Sequence, residues 1–211
     1  IDARMKSGEL IKVMVGGDTR YVSRAVYEME KTILKCIDDG KGTQSPLMPV
    51  VDAKFTEGLT KGQADAVIAY LTSPDQFIAV QGLPGVGKTT MLRSLNAAVS
   101  SLPEGRPDPV AGSGTPDQDK MASLQRVVLA VSSLPEGQRP EIIGLGPTHR
   151  SVEEMRAVGI EAQTLKSWLV ETSKQLANGD KLDFSNKMFV LDESSMLGTS
   201  DLAEASQLIA H

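Results

Sequence analysis

The stretch FIAVQGLPGVGKT, Phe77–Thr89, decides the fold of this 211-residue chain. Its first five residues form a short apolar run that predicts a buried strand, and Gly82–Thr89 fits the pattern G-x-x-x-x-G-K-[ST]. Gly82, Gly85 and Gly87 let the backbone turn so that successive N–H groups point inward, with no Cβ atom to block an approaching anion. A helix that follows adds the positive end of its dipole. The stretch therefore predicts a strand, a phosphate-binding loop and a helix.

The last residues of the loop predict how a nucleotide is held. Lys88 would place a point charge at the β- and γ-phosphates, and the hydroxyl of Thr89 can ligate Mg²⁺. The expected ligands are therefore ATP and Mg²⁺. The residues of this loop predicted to bind nucleotide are Gly82, Gly85, Val86, Gly87, Lys88, Thr89 and Thr90.

A second acidic element follows another apolar run, KMFVL, at Lys187–Leu191. A strand there would deliver Asp192 and Glu193 to its carboxyl end, where open α/β sheets gather ligands. Asp192 would hold Mg²⁺ together with Thr89, and Glu193 would orient and deprotonate a water molecule. The predicted catalytic residues are Lys88 and Glu193. The alternative is an acidic pair that only caps a helix.

Outward from these motifs, strands alternate with helices, which predicts a parallel sheet with helices on both faces. The predicted elements are a helix over Thr60–Leu71, a strand over Phe77–Gln81, a helix from near Gly87, a strand over Glu141–Leu145, a helix through Glu153–Val158, a helix over Ser167–Asn178, a strand over Lys187–Leu191 and a helix over Asp201–Ala210.

The first 50 residues follow a different pattern. Two strands around the turn Gly16-Gly17-Asp18-Thr19 predict a hairpin, and a helix with apolar residues at helical spacing is expected from Ser23 to Gly40. The proline-containing stretch Lys41–Pro49 predicts a boundary between a small subdomain, 1–50, and an incomplete main domain, 51–211.

An internal repeat interrupts the main domain. The octapeptide AVSSLPEG occurs at Ala98–Gly105 and again at Ala130–Gly137, and a segment rich in Pro, Gly, Asp and Ser lies between the copies. Long surface insertions cost little loop entropy. We therefore expect a duplicated surface insertion over 106–137.

Weaker motifs admit two interpretations each. Thr60 and Gln63 form T-x-x-Q, which is a helix-capping box, and Gln63 could alternatively recognise adenine. The backbone of GPTHR, with Thr148 and His149, could touch nucleic acid or simply turn the chain into a helix, and Thr164 in AQTLKSWL is equally ambiguous. Trp168 is expected in the core rather than stacked on a base.

Composition narrows the class of protein. The net charge of −5 argues against a broad basic surface that coats duplex DNA, although it allows a narrow groove for a single strand. No apolar run approaches the ~20 residues that cross a bilayer, no signal peptide opens the chain, and the single Cys36 cannot form an internal disulfide. We expect a cytoplasmic protein without membrane insertion, and the ends of the sequence suggest a piece of a longer chain.

The ordered set GLPGVGKTT, GLGPTHRSVEEM, AQTLKSW and LDESSM resembles the first half of superfamily 1 DNA helicases of the RecD-like, 5′→3′ class, in particular conjugative relaxase-helicases of F-like plasmids. The resemblance implies a RecA-like lobe and ATP-driven movement along DNA. It also implies single-stranded DNA, a second helicase lobe and a relaxase domain of the same protein as partners.

The same resemblance assigns roles to the ambiguous residues. Gln63 takes the place of the adenine-reading glutamine of the family. Pro147, Thr148, Arg150 and Thr164, with His149 between them, fall in motifs that line the single-stranded DNA path. The duplicated segment departs from the family pattern, in which the helix after Thr89 runs directly into the strand before GPTHR.

Two other functions remain open from the residues alone. A nucleotide-dependent transferase such as a kinase is disfavoured by Asp192 and Glu193 at a strand end, since an activated water favours hydrolysis. A vestigial module that binds single-stranded DNA or partner proteins without ATP turnover is disfavoured by the intact loop, Lys88 and the acidic pair.

Overall fold

The computed structural model describes residues 2–81, 87–102, 126–131 and 139–210, the segment 126–131 by its backbone alone. A short helix α1, Asp2–Lys6, leads into a two-stranded hairpin of β1, Leu10–Val15, and β2, Asp18–Ser23. Gly16 and Gly17 connect the strands with φ angles of 59° and 88°, which is the left-handed geometry of a tight hairpin turn. The predicted hairpin is therefore confirmed, with a shorter turn than expected.

The following helix α2, Arg24–Asp39, packs against the last helix of the chain. The proline-containing stretch after α2 is tied to the main core, because Leu47 is buried and the amide of Met48 donates to the carbonyl of Leu71 at 2.8 Å. The domain boundary near residue 50 stays a prediction.

The main sheet and its helices follow in α/β order. Their bounds are α3 Lys61–Thr72, β3 Phe77–Gln81, α4 Lys88–Ser100, β4 Arg126–Val131, β5 Glu141–Gly146, α5 His149–Arg156, β6 Glu161–Thr164, α6 Leu165–Ala177, β7 Lys187–Leu191 and α7 Thr199–Ala210.

The sheet has the strand order β3-β4-β7-β5-β6. Strands β5, β6 and β7 are parallel, as predicted, and β3 points the same way as β7. Strand β4 corrects the expectation of an all-parallel sheet, since it pairs antiparallel with both β3 and β7. Its sequence, RVVLAV, has the β-branched content that a central strand favours. These six residues fall within the predicted surface insertion but occupy the middle of the sheet, while the remainder of 106–137 lies outside the described residues.

Helices cover both faces of the sheet, and β7 shows why. Its alternate residues point to opposite faces, so Met188 and Val190 join one buried cluster and Phe189 and Leu191 join the other. Helices α3, α4 and α5 build the first cluster, and α6 and α7 build the second. A run of apolar residues without alternation is typical of a strand buried on both faces.

Candidate functional site: a lysine and a buried carboxylate at one sheet edge

Four strands of the main sheet end at the same edge. Leu145 of β5 lies opposite Leu191 of β7, and Gly146 lies opposite Thr164 at the end of β6. Gln81, the last residue of β3, lies on the same side of the sheet, because β4 relates β3 to β7 in parallel. The segments that follow these strands carry the predicted motifs, so the topology gathers them at one edge.

Helix α4 begins at this edge with Lys88. Gly87 precedes it with a φ of 78°, a left-handed conformation that favours glycine, and its carbonyl accepts the amides of Thr90 at 3.1 Å and Met91 at 3.2 Å. The side chain of Lys88 is 16% exposed, Thr89 is half-buried and Thr90 is exposed. The predicted site residues Gly82, Gly85 and Val86 lie outside the described residues.

Asp192 faces Lys88 across this edge. Its carboxylate oxygen Oδ1 lies 3.9 Å from the Nζ of Lys88, and its side chain is only 8% exposed. The same oxygen accepts the amide of Glu193 at 2.8 Å, and the amide of Asp192 donates to the carbonyl of Leu145 at 3.2 Å. The backbone on both sides of Asp192 is thus fixed by hydrogen bonds.

Burial raises the pKa of the Asp192 carboxyl above its ordinary value, against the opposing effects of Lys88 and of the Glu193 amide, while Glu154 adds a smaller repulsion. The charge of Lys88 therefore does not fully compensate for the burial of the Asp192 carboxylate. A divalent cation such as Mg²⁺ is commonly bound by one or two protein oxygens, with water and phosphate as its other ligands. The Asp192 carboxylate, together with the hydroxyl of Thr89, the residue after Lys88, suits a cation of this kind. Among the residues that the structure describes, no cluster of three or more His, Cys, Asp or Glu side chains could hold a metal by itself.

Glu193 has an unusual backbone. Its φ of 50° and ψ of 38° lie in the left-handed region, and it precedes a short 3-10 helix over Ser194–Met196. A side-chain-bearing residue held there costs on the order of 1–3 kcal/mol, and such strain clusters at functional sites. Glu193 directly follows the buried Asp192 in this turn and is itself half-buried.

Gln63 has the helix-capping role that the sequence predicted and also contacts the residue before α4. It forms the capping box with Thr60, whose amide donates to Gln63 Oε1 at 2.8 Å. Its Nε2 also donates to the carbonyl of Gly87 at 3.1 Å. The structure therefore connects Gln63 to Gly87, the residue before α4, as well as to the helix cap, and its role toward adenine stays a prediction.

The predicted DNA-contacting residues sit beside this site. Thr148 caps α5 through a capping box with Ser151, and Thr164 caps α6 through the amide of Ser167 at 3.2 Å. Pro147 is half-buried and His149 is exposed. Arg150 is 88% exposed and pairs with Glu154 at 3.1 Å. The capping roles explain both threonines structurally, and contact with DNA stays a prediction.

Trp168 lies in the core, as predicted. It is 5% exposed, and its ring centroid lies 5.7 Å from that of Phe184 and 5.4 Å from that of Phe189. Three mutually packed aromatic rings form one layer beneath the sheet, so the indole has no face available for a base.

Tyr70 is a residue of the site that the sequence analysis missed. It is 1% exposed on α3, and its pKa is raised first by burial and second by the charge of Asp192. Its position seven residues after Gln63 places both on one face of α3. The spacing alone does not place Tyr70 near Asp192, which follows β7, so no local signal in the sequence identifies it.

Comparison of the sequence with known proteins identifies a family and two relatives. Residues 58–211 match the AAA domain family, and the chain belongs to that family. It is 43% identical over 213 aligned residues to the multifunctional conjugation protein TraI of Escherichia coli strain K12, and 42% identical over 213 residues to a protein of the same name from Escherichia coli. Both matches cover 100% of this chain and 10% of the relative, so the chain spans about a tenth of their length. The likeness to conjugative proteins of the TraI type, predicted from the ordered motifs, is confirmed.

In the part of the chain that the structure describes, none of the helices is both long enough and apolar enough to span a lipid bilayer.

Proposed function

We propose that this chain is the nucleotide-binding part of an ATP-driven 5′→3′ DNA helicase that acts in conjugative transfer. The observation that carries the proposal is the approach of Lys88 Nζ to Asp192 Oδ1, 3.9 Å apart and both shielded from water, at the edge where the strands of the main sheet end. A buried cation and a buried carboxylate that meet beside a glycine loop match the needs of a magnesium triphosphate, which carries both signs of charge. On this proposal, the main domain is a RecA-like lobe.

Each residue has a distinct task in the proposed reaction. Lys88 and the amides at the start of α4 hold the phosphates, and the dipole of α4 adds to their attraction. The Thr89 hydroxyl and the Asp192 carboxylate would hold Mg²⁺, which neutralises developing charge on the phosphate oxygens when it is bound. A carboxylate oxygen of Glu193 would orient the attacking water and accept its proton.

Movement along DNA requires more than this chain. The partners in the proposal are single-stranded DNA, which Pro147, Thr148, His149, Arg150 and Thr164 would contact, and the other helicase lobe and relaxase domain of a full-length protein. The 211 residues alone should bind Mg-nucleotide weakly and hydrolyse it negligibly, because the second lobe is needed to complete the site.

A nucleotide titration tests the proposal. Wild type, Lys88→Ala and the control Lys174→Ala are titrated with Mg-ATP by calorimetry. Lys174 also lies on a helix but is exposed and distant from the sheet edge. We expect Lys88→Ala to weaken binding at least about tenfold, since it removes a charge-assisted contact of roughly 1.5–3 kcal/mol, and Lys174→Ala to behave as wild type.

Two results would count against the proposal. Indistinguishable titrations of wild type and Lys88→Ala would support a vestigial loop that serves another kind of binding. Robust DNA-stimulated ATP turnover by residues 1–211 alone would contradict the need for a second lobe.

A further inference from the structure

The carboxamide of Gln63 is engaged at both ends within the chain. Its Oε1 accepts the backbone amide of Thr60 at 2.8 Å, and its Nε2 donates to the carbonyl of Gly87 at 3.1 Å, 24 residues away in sequence. An amide that reads adenine must offer one donor and one acceptor to the base. In Gln63 one of the two amide hydrogens and one of the two oxygen lone pairs already join two parts of the backbone, which fixes the position of the carboxamide.

The carbonyl that Gln63 contacts is the one that starts α4. The amides of Thr90 and Met91 donate to the same Gly87 oxygen, so Gln63 adds a third donor at the first turn of the helix. The fit is close, because a Cβ atom added to Gly87 would lie 2.4 Å from Gln63 Nε2. Lys88 is the next residue, and its position depends on this turn.

We infer that Gln63 is a positioning residue for the phosphate site, which ties the first turn of α3 to the first turn of α4 and thereby fixes Lys88 and the helix amides. The inference rests on the proposed function and specifies its ligand. Gln63 raises the affinity of the site for the magnesium triphosphate group. The increase in affinity is the same for adenine nucleotides, guanine nucleotides and a polyphosphate without any base.

Three ligands and three variants test the inference. Wild type, Gln63→Glu, Gln63→Ala and the control Thr60→Ala are titrated with Mg-ATP, Mg-GTP and magnesium tripolyphosphate. Gln63→Glu keeps an oxygen for the Thr60 amide, as in a Thr-x-x-Glu capping box, but it loses the donor to Gly87 and adds a negative charge. Gln63→Ala loses the donor without adding charge, so loss of this hydrogen bond predicts that it weakens all three ligands by a common factor of about five, and Gln63→Glu should weaken them at least as much.

Thr60→Ala separates helix capping from positioning. It removes the acceptor for the Gln63 amide, at 3.4 Å, and leaves both bonds of the Gln63 carboxamide in place. We expect its affinities to stay within about twofold of wild type. Hydrogen exchange without ligand gives an independent readout, since the amides of Thr90 and Met91 should exchange faster in Gln63→Glu and unchanged in Thr60→Ala.

The possible failures differ from one another. A loss confined to Mg-ATP would make Gln63 a reader of adenine and overturn the inference, and so would a Gln63→Glu variant that binds and exchanges like wild type. If wild type binds none of the three ligands, the proposed function fails and the inference with it. If wild type binds them and only the common factor is absent, the inference alone fails.

Discussion

Replacement of Asp192 by asparagine should stabilise the folded chain while it removes the carboxylate proposed to hold Mg²⁺. The side chain is 8% exposed and faces the buried Lys88 at 3.9 Å. At an effective dielectric constant of about 20, that separation corresponds to an attraction of about 4 kcal/mol. Asparagine loses this attraction and leaves Lys88 buried, but it also relieves the cost of removing a carboxylate from water, which is several kcal/mol.

The raised pKa of Asp192 shows that the cost of burying the carboxylate exceeds its attraction to Lys88. The folded chain retains the proton to a higher pH than the unfolded chain, whose carboxyl titrates near its ordinary value of 3.8. Stability therefore falls as the pH rises from 3.8 through the folded pKa, and the loss is complete above it. Asparagine resembles the protonated acid, so Asp192→Asn should recover on the order of 1 kcal/mol at neutral pH.

Thermal unfolding at a series of pH values measures this effect. For a chain of this length, about 1 kcal/mol corresponds to an increase in Tm of about 2–4 °C. The difference between Asp192→Asn and wild type should be small near about pH 4 and should grow to its full value by neutral pH. Asp180→Asn, at an exposed position after α6, gives the general effect of losing one negative charge.

Two results would refute the reasoning. A Tm of Asp192→Asn at or below that of wild type at neutral pH would show that the ion pair outweighs burial. A difference that does not change with pH would show that the stabilisation does not come from the ionisation of this carboxyl. The same variant should lose the Mg²⁺ dependence of nucleotide binding, which calorimetry with and without EDTA measures.

Three further predictions concern neighbouring residues. Arg150→Ala breaks only an exposed pair with Glu154, so the free energy of unfolding should change by less than about 0.5 kcal/mol, while the salt dependence of single-stranded DNA binding falls by about one ion. Trp168→Ala should cost about 3–5 kcal/mol in denaturant unfolding, and in wild type the emission of this single tryptophan should not respond to oligo-dT. Glu193→Gly should raise Tm relative to Glu193→Ala, because glycine adopts the left-handed φ without strain, and both variants should abolish hydrolysis in a full-length protein.

Strands whose local sequence is decisive were predicted correctly. The bounds of β7 agree because KMFVL is apolar on both faces and is followed at once by polar residues. The edge strand β6 was missed because EAQT is four residues long and only one of them, Ala162, is buried. A short strand of this kind is held by its pairing with β5, and sequence alone carries little trace of that pairing.

The repeated octapeptide shows where local sequence fails. Ala98, Val99 and Ser100 of the first copy end helix α4, whereas Ala130 and Val131 of the second copy end strand β4. Identical residues adopt both conformations because the intrinsic preference of a residue is worth less than about 1 kcal/mol, and the partners available to each copy differ. The strand between β3 and β7 could therefore not be predicted from the repeat.

Some residues of the candidate site could be predicted from local sequence, and others could not. Lys88, Asp192 and Glu193 were predicted because each follows a strand at a fixed spacing. The contact of Gln63 with Gly87 spans 24 residues and depends on how α3 packs against α4, and the effect of Asp192 on Tyr70 depends on how α3 lies against the end of β7. Neither has a local signature, since long-range contacts are decided by the whole fold.

The proposed nucleotide and DNA sites are joined by one backbone hydrogen bond. The Leu145 carbonyl accepts the amide of Asp192, and Leu145 directly precedes the turn Gly146-Pro147-Thr148 that is proposed to contact DNA. Leu145 and Leu191 are 0% and 2% exposed, so close-packed side chains support both ends of this bond. A close-packed interior transmits displacement rather than absorbing it. We therefore expect a ligand that shifts Asp192 to shift the turn as well, and because such coupling is reciprocal, DNA at the turn would then alter the affinity for nucleotide by the same factor.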